Sequence, residues 1–193
     1  MNDSTGIWNA VVQDFMARRS PVIGVAEVSN WSGAIPAGGS ILDLGCGHGF
    51  PVASALVKLG FDVYGIDSST EMAQEFQRRL PTAHIRCEAV EQSNYFDRQF
   101  DAAIAVGLMF LLNEQSQRQL IHRVAAALHS GGTLLFTAPA QAVSWPDNLT
   151  GQQSLSLGRE AYRTLLQEGG FELATEFADE GGNHYYSATK WAC

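Results

Sequence analysis

Ile41-Leu42-Asp43-Leu44-Gly45-Cys46-Gly47-His48-Gly49-Phe50 is the stretch on which the fold turns. The apolar run Ile41–Leu44 has the length and composition of a short buried strand. It opens into glycines at alternate positions, 45, 47 and 49, and a helical spacing follows in Val52, Ala53, Leu56 and Val57. A strand, a glycine turn and a helix in that order let backbone come close to a ligand, because no Cβ intervenes. The N–H groups at the start of the helix lie behind the turn and can donate to an anionic group.

Outward from this stretch the chain alternates strand and helix. Asp62-Val63-Tyr64-Gly65-Ile66-Asp67 is a second short strand ending in an acid. Ser68 with Glu71 has the spacing of a capping box for a helix carrying Met72, Phe76 and Leu80 inward, stopped by Pro81. His84–Cys87 is a weaker third strand, and Phe100–Gly107 a strongly apolar fourth. Leu120, Ile121, Val124, Ala125 and Leu128 mark a helix that Gly131-Gly132 ends, and Thr133–Thr137 is a fifth strand. Such a row of βα units implies a parallel sheet with helices on both faces and a ligand site beyond the strand C-termini.

The two ends of the chain read differently. Ile7–Met16 is spaced as an amphipathic helix with Trp8, Val11, Val12 and Phe15 on one face, ended by Arg18-Arg19-Ser20-Pro21. It is expected to cap or cover the core, so the chain divides into a helical cap over 1–34 and an α/β core over 35–193, within one domain. Residues 138–156 show no periodicity and read as a long loop containing Trp145. Phe171–Phe177 and His184–Lys190, joined by the Gly-rich Asp179–Asn183, read as an antiparallel hairpin.

Composition narrows the function. The 193 residues suit one domain with a sizeable core; 46% are hydrophobic and 17% charged, as in a globular protein. A net charge of −8 without a basic run is poorly suited to gripping a phosphate backbone, so no nucleic-acid partner is expected. Cys46, Cys87 and Cys193 are too scattered for a metal cluster or a full disulfide set, and no metal is expected. They read as reduced thiols of a cytoplasmic protein. No stretch is apolar for long enough to span a bilayer, and no signal-peptide pattern opens the chain.

Two nucleotide-type ligands compete for the glycine turn. A dinucleotide fingerprint G-x-G-x-x-G/A would place a small residue where Phe50 stands. The row Asp43-Leu44-Gly45-Cys46-Gly47-His48-Gly49 instead resembles the first motif of the class I S-adenosylmethionine-dependent methyltransferases. Asp67, Glu88-Ala89, Phe100-Asp101, Leu128–Leu134 and the closing hairpin extend the likeness over about 35–190. The resemblance implies a Rossmann-like three-layer sandwich around a seven-stranded, mostly parallel sheet, its antiparallel last strand lying between the fifth and sixth. It implies S-adenosylmethionine as cofactor and S-adenosylhomocysteine as product.

Carried onto this sequence, the resemblance gives Gly45, Cys46, Gly47 and Gly49 the methionine part of the cofactor, with Asp43 orienting its amino group. Asp67, followed by Ser68, holds the ribose hydroxyls, although an acid there can equally cap the next helix. Glu88 stands where an Asp is more usual and faces the adenine amino group; Ala89 and Val90 continue that loop. Met72 walls the adenine, and Gly107 offers a carbonyl. The substrate pocket is expected to draw on Trp8, Phe110, Trp145 and Tyr186, and His184 is the candidate general base. His48 lies within the turn and reads as solvent-facing.

The fourth strand ends Val106-Gly107-Leu108-Met109-Phe110 and lacks the Asn/Asp-Pro-Pro-aromatic box of amino-methylating nucleic-acid enzymes. No paired-Glu loop of the protein arginine methyltransferases is present. The reading is therefore a methyltransferase of the small-molecule branch, monomeric or homodimeric, moving a methyl group to an O, N, S or C of a small organic acceptor. The alternatives are an NAD(P)-dependent oxidoreductase and a non-catalytic module that binds the cofactor.

Overall fold

The computed structural model describes residues 4–192, with the side chains of residues 4, 5, 7 and 8 outside the description. Its elements run in the order α1 (Ser4–Arg18), α2 (Val25–Ser32), β1 (Ser40–Leu44), α3 (Val52–Lys58), β2 (Asp62–Asp67), α4 (Thr70–Arg79), β3 (His84–Cys87) and β4 (Phe100–Ala105). They continue with α5 (Glu114–Ala127), β5 (Leu128–Thr137), β6 (Val143–Pro146), β7 (Gln153–Ser156), α6 (Arg159–Glu168), β8 (Phe171–Ala178) and β9 (His184–Lys190).

The main sheet has seven strands in the order β3-β2-β1-β4-β5-β9-β8. Neighbours pair in parallel up to β5, while β9 is antiparallel to both β5 and β8. The strand order reverses between β1 and β4, so the mouths of β1, β2 and β4 open onto one crevice.

Alternation along the strands feeds two cores. Leu42, Leu44, Phe136 and Tyr186 face the layer of α5 and α6, where Leu120, Val124, Tyr162 and Leu166 meet them. Ile41, Val63, Leu135 and Tyr185 face the layer of α2, α3 and α4, with Trp31, Leu56 and Phe76. Burial on both faces explains why β1 reads as a continuous apolar run. Helix α2 has no strong sequence signal, yet Val28 and Trp31 are buried, and Trp31 Nε1 donates to Thr133 Oγ1 at 3.2 Å. Among the described residues no helix is long and apolar enough to cross a membrane.

Residues 138–156 depart from the loop expected there. Val143–Pro146 and Gln153–Ser156 pair antiparallel as a small separate hairpin. Each strand is only four residues long and one ends in proline, so neither shows a readable alternation. The buried side chain of Gln117 secures the hairpin: its Nε2 donates to Leu112 O and Leu155 O, both at 2.8 Å, and its Oε1 accepts from Tyr162 OH at 2.6 Å. Gln117→Leu keeps the volume but strands two carbonyls and a hydroxyl. It is expected to cost about 3 kcal/mol of stability by urea unfolding; a loss below about 0.5 kcal/mol would show that the hairpin is held by packing alone.

Candidate active site

The crevice at the switch point is built from the turn between β1 and α3. Gly45 N and Cys46 N both donate to Ile66 O, at 2.8 and 3.1 Å, which fastens the turn to the end of β2. Asp67 completes the attachment: Oδ2 accepts Gly47 N at 2.8 Å and Oδ1 accepts Ser69 N at 2.9 Å. Gly45, Gly47 and Gly49 all have positive φ, but for different ends. A Cβ on Gly49 would lie 2.8 Å from Leu80 and 2.9 Å from Phe76, whereas one on Gly47 would meet nothing closer than Phe15 at 3.9 Å. Gly49 is thus required by packing, and Gly47 leaves space over the turn.

Asp43 is 3% exposed and its Oδ2 has no hydrogen-bond partner. Burial, and then the neighbouring Asp67 carboxylate, raise its pKa to about 7, with Arg19 pulling the other way. Burial also raises Asp67, opposed by the Ser69 and Gly47 N–H groups. These two acids form the negative floor of the crevice. The Cys46 thiol is pushed up strongly by burial and by the same two acids, so it is an inert packing group in this wall.

The adenine-side residues expected from the sequence gather beside it. Glu88 N donates to Asp67 O at 3.0 Å, which sets the β3 end against the β2 end. Glu88 Oε1 is buried and accepts no hydrogen bond; Arg86 lies 3.8 Å away, in ion-pair range only. Ala89 and Ser68 are half-buried, while Val90 and Met72 are buried, and Met72 Sδ is 4.0 Å from the Cβ position of Gly47. Gly107 N donates to Thr137 Oγ1 at 2.8 Å, and the space where its side chain would be is open. The helix cap expected at Ser68 falls one residue later: Ser69 Oγ accepts Met72 N at 3.2 Å, because Asp67 already engages the Ser69 backbone.

Helix α1 covers this turn. Ser69 Oγ donates to Asn9 Oδ1 at 2.7 Å, and Phe15 meets the His48 ring edge-on with centroids 6.0 Å apart. His48 therefore does not face solvent. It is 2% exposed, and burial, followed by Arg79 and Arg19, lowers its pKa to about 4, leaving a neutral imidazole under Phe15. The side chain of Trp8 lies outside the described residues.

The remaining sequence candidates are scattered. Phe110 and Trp145 come together with centroids 5.6 Å apart, where the β6–β7 hairpin reaches the turn after β4. Tyr186 is fully buried, its ring stacked on Phe136 at 4.8 Å and its hydroxyl without a partner. Its ring belongs to the sheet core. His184 Nε2 lies 2.9 Å from Glu176 Oε2, and Glu176 also accepts Arg159 Nε at 2.8 Å and Arg163 Nε at 2.9 Å. Burial would raise Glu176, but these three donors hold it below the usual carboxylate range. A residue that sequence reasoning passed over is Arg19, half-buried beside the crevice; in the sequence it is only one of two adjacent arginines ending a helix.

This sheet order, with a glycine turn under a buried acid and an acid closing the second strand, defines the class I methyltransferase fold. The profile of the methyltransferase-domain family matches residues 41–132, which span β1 to the start of β5. The CcbJ methyltransferase of Streptomyces caelestis is similar in structure, with a TM-score of 0.76 at 16% identity over 97% of this chain and 98% of that one. The magnesium protoporphyrin IX methyltransferase of Synechocystis, solved with S-adenosylmethionine, gives 0.73 at 16% identity over 96% and 94%. A TehB-like S-adenosylmethionine-dependent methyltransferase of Corynebacterium glutamicum gives 0.71 at 19% identity over 97% and 97%. No curated protein sequence matches the chain. Residues 41–132 thus match a methyltransferase domain, and the chain as a whole has the class I methyltransferase fold.

Proposed function

We propose that the chain is one methyltransferase domain acting on a small organic acceptor, with the crevice over β1, β2 and β4 holding the donor and α1, within 1–34, covering it. The observation that carries this reading is the pair of buried acceptor oxygens without donors, Asp43 Oδ2 and Glu88 Oε1, on either side of the glycine turn. A buried acceptor lacking a donor costs free energy, and a ligand that supplies one recovers it. S-adenosylmethionine carries an ammonium at one end and an adenine amino group at the other, so the two oxygens suit it.

In this reading Asp43 takes the ammonium, Gly45, Cys46, Gly47 and Gly49 enclose the methionine chain, and Gly107 offers its carbonyl. Asp67, with Ser68, takes the ribose hydroxyls using lone pairs that its two backbone bonds leave over. Glu88, Ala89, Val90 and Met72 bound the adenine. The bound donor supplies a methyl carbon already activated by a sulfonium. The chain's own contribution is to align the acceptor and exclude water, which Phe15 and the Phe110–Trp145 wall serve. The same aromatic wall supports a small acceptor, and the magnesium protoporphyrin enzyme is an example of a similar fold named for one. His184 is a candidate base whose Nε2 is held by Glu176, leaving Nδ1 as the atom to receive a proton. Trp8 completes the pocket candidates, while Tyr186, buried in the sheet core, does not line it. The unpaired thiols Cys46 and Cys87 support a cytoplasmic setting, and we take the protein to be a monomer or homodimer.

The test is titration with S-adenosylhomocysteine and with NADH, followed by transfer of labelled methyl to a panel of small acceptors. Binding of the first, no binding of the second and labelling of a small acceptor are expected; NADH binding alone would overturn the reading. The Asp43 oxygen gives a sharper signature. Its pKa of about 7 in the ligand-free protein must fall when an ammonium arrives, so binding releases a proton below that pH. Affinity for S-adenosylhomocysteine should rise with pH up to about 7 and level off above it. Calorimetry at pH 6 in buffers of different ionisation enthalpy should show release approaching one proton, and at pH 8.5 almost none. Equal proton release at both would remove Asp43 from the amino-group site.

A further inference from the structure

The same end of the main sheet continues past the crevice. Gly107 N is tied to Thr137 Oγ1 at the end of β5, and Ala138 N donates to His184 O at the start of β9, at 3.1 Å. His184 therefore stands two strand spacings, about 10 Å, along from Gly107. Beyond it, on the edge strand β8, Glu176 Oε2 meets both His184 Nε2 and Arg159 Nε, at 2.9 and 2.8 Å, so the ring and the guanidinium converge on one oxygen. Arg163 takes the other oxygen, Oε1, with Nε at 2.9 Å and Nη2 at 2.8 Å.

The charges of this cluster do not balance. One carboxylate, Glu176, serves two arginines. Among the described residues the only other carboxylate within 4.0 Å of either is Glu160, 3.8 Å from Arg163 Nη1 and 83% exposed, so water screens it. One positive charge is left over beside the crevice, in a chain whose net charge is −8. Arg159 also has a donor edge to spare. Its Nε is committed to Glu176, and among the described residues no hydrogen bond uses its Nη1 or Nη2. Its backbone N donates to Ala140 O at 2.9 Å, which fixes the first residue of α6 beside the chain leaving β5. The β6–β7 hairpin leaves the sheet after Ala140 and returns at Arg159, so the Phe110–Trp145 wall and this cation share one base. A guanidinium anchored through Nε, with its Nη pair free, presents two parallel N–H groups that match the two oxygens of a carboxylate.

We propose that Arg159, steadied by Glu176 and backed by the charge of Arg163, receives a carboxylate of the methyl acceptor, so that the acceptor is a small organic acid whose apolar body lies against Phe110 and Trp145. The proposal deepens the function proposed above and rests on it for the place of the donor. The reacting atom then lies at the crevice end of the acceptor and its charge at the β8 end, with His184 between them. Arg159 becomes a specificity residue: a neutral ester or amide of the same shape leaves the surplus cation without a partner and binds more weakly. The arrangement also explains why two arginines converge on one carboxylate, since one would suffice to fasten α6 to β8.

The experiment titrates wild-type protein, Arg159→Gln and Arg159→Lys, each with and without saturating S-adenosylhomocysteine, with trans-cinnamate and with cinnamamide, followed by ligand-observed NMR. The two probes share ring and shape and differ in charge. The wild type should prefer cinnamate by about 10-fold or more, Arg159→Gln should abolish that preference with little change toward cinnamamide, and Arg159→Lys should restore part of it. Equal wild-type affinity for the two probes overturns the proposal without any variant being needed, and so does binding of neither. An Arg159→Gln loss that is the same for both probes marks a structural role and also overturns it. Failure of S-adenosylhomocysteine to bind would count against the donor reading alone, because the cinnamate preference of the ligand-free protein decides the Arg159 site separately.

Discussion

Asp67→Ala is expected to weaken S-adenosylhomocysteine binding by about 1.5–3 kcal/mol, roughly 10- to 150-fold, while the protein stays folded. Two losses combine. The carboxylate holds Gly47 N and Ser69 N, so its removal loosens the glycine turn and the start of α4 together. It also removes the acceptors proposed for the ribose hydroxyls, each a hydrogen bond to a charged group. Asp67→Asn keeps one oxygen for one N–H and should fall between. Isothermal titration with a circular-dichroism check of folding measures both, and unchanged affinity in folded Asp67→Ala would take this residue out of the site.

The larger effect on stability is expected one turn earlier in the chain. Gly49→Ala places a methyl 2.8 Å from Leu80 Cδ1 and 2.9 Å from Phe76 Cδ2 at a residue with φ of +79°. Left-handed backbone costs a non-glycine residue about 1–2 kcal/mol. Forcing a carbon into packed side chains adds about 1–3 kcal/mol. The sum, about 2–5 kcal/mol, is a large part of a typical domain's stability of about 5–15 kcal/mol. Gly47→Ala is the control. Its φ is +54°, but its methyl would meet nothing within 3.9 Å, so only the backbone cost applies. That methyl points to Phe15 and Met72, where the ligand is proposed to lie, so Gly47→Ala should lose more affinity than stability. Urea unfolding of the two variants would show the contrast, and equal destabilisation would mean that the packing around Gly49 yields.

Local features carried most of this architecture into the sequence. A buried strand, a glycine turn and an acid closing the next strand need only neighbours along the chain, so β1, the turn and Asp67 could be read from short windows. The antiparallel ending was legible for the same reason, as two alternating runs around Asp179–Asn183. What escaped depends on distant partners. Whether His48 faces water is decided by Phe15, more than thirty residues away, and the cap moved from Ser68 to Ser69 because Asp67 captured a backbone N–H. The β6–β7 hairpin is held by Gln117, whose ordinary helical position gives no hint of two carbonyl partners. Tyr186 looked like a rim residue because it follows His184, but strand alternation turns it into the layer of Phe136 and Tyr162. Arg19 has no local signature at all: its charged neighbours, Asp43 and Asp179, come from distant parts of the chain.

The hydroxyl of Ser69 does two jobs that separate cleanly. A hydroxyl has one hydrogen and two lone pairs; the hydrogen goes to Asn9 and a lone pair to Met72 N. Asn9→Ala would take away only the acceptor of that hydrogen, which water can replace, while α4 keeps its first-turn anchorage. The contact that ties α1 to the turn is thus independent of the anchorage that orders the start of α4 beside Asp67.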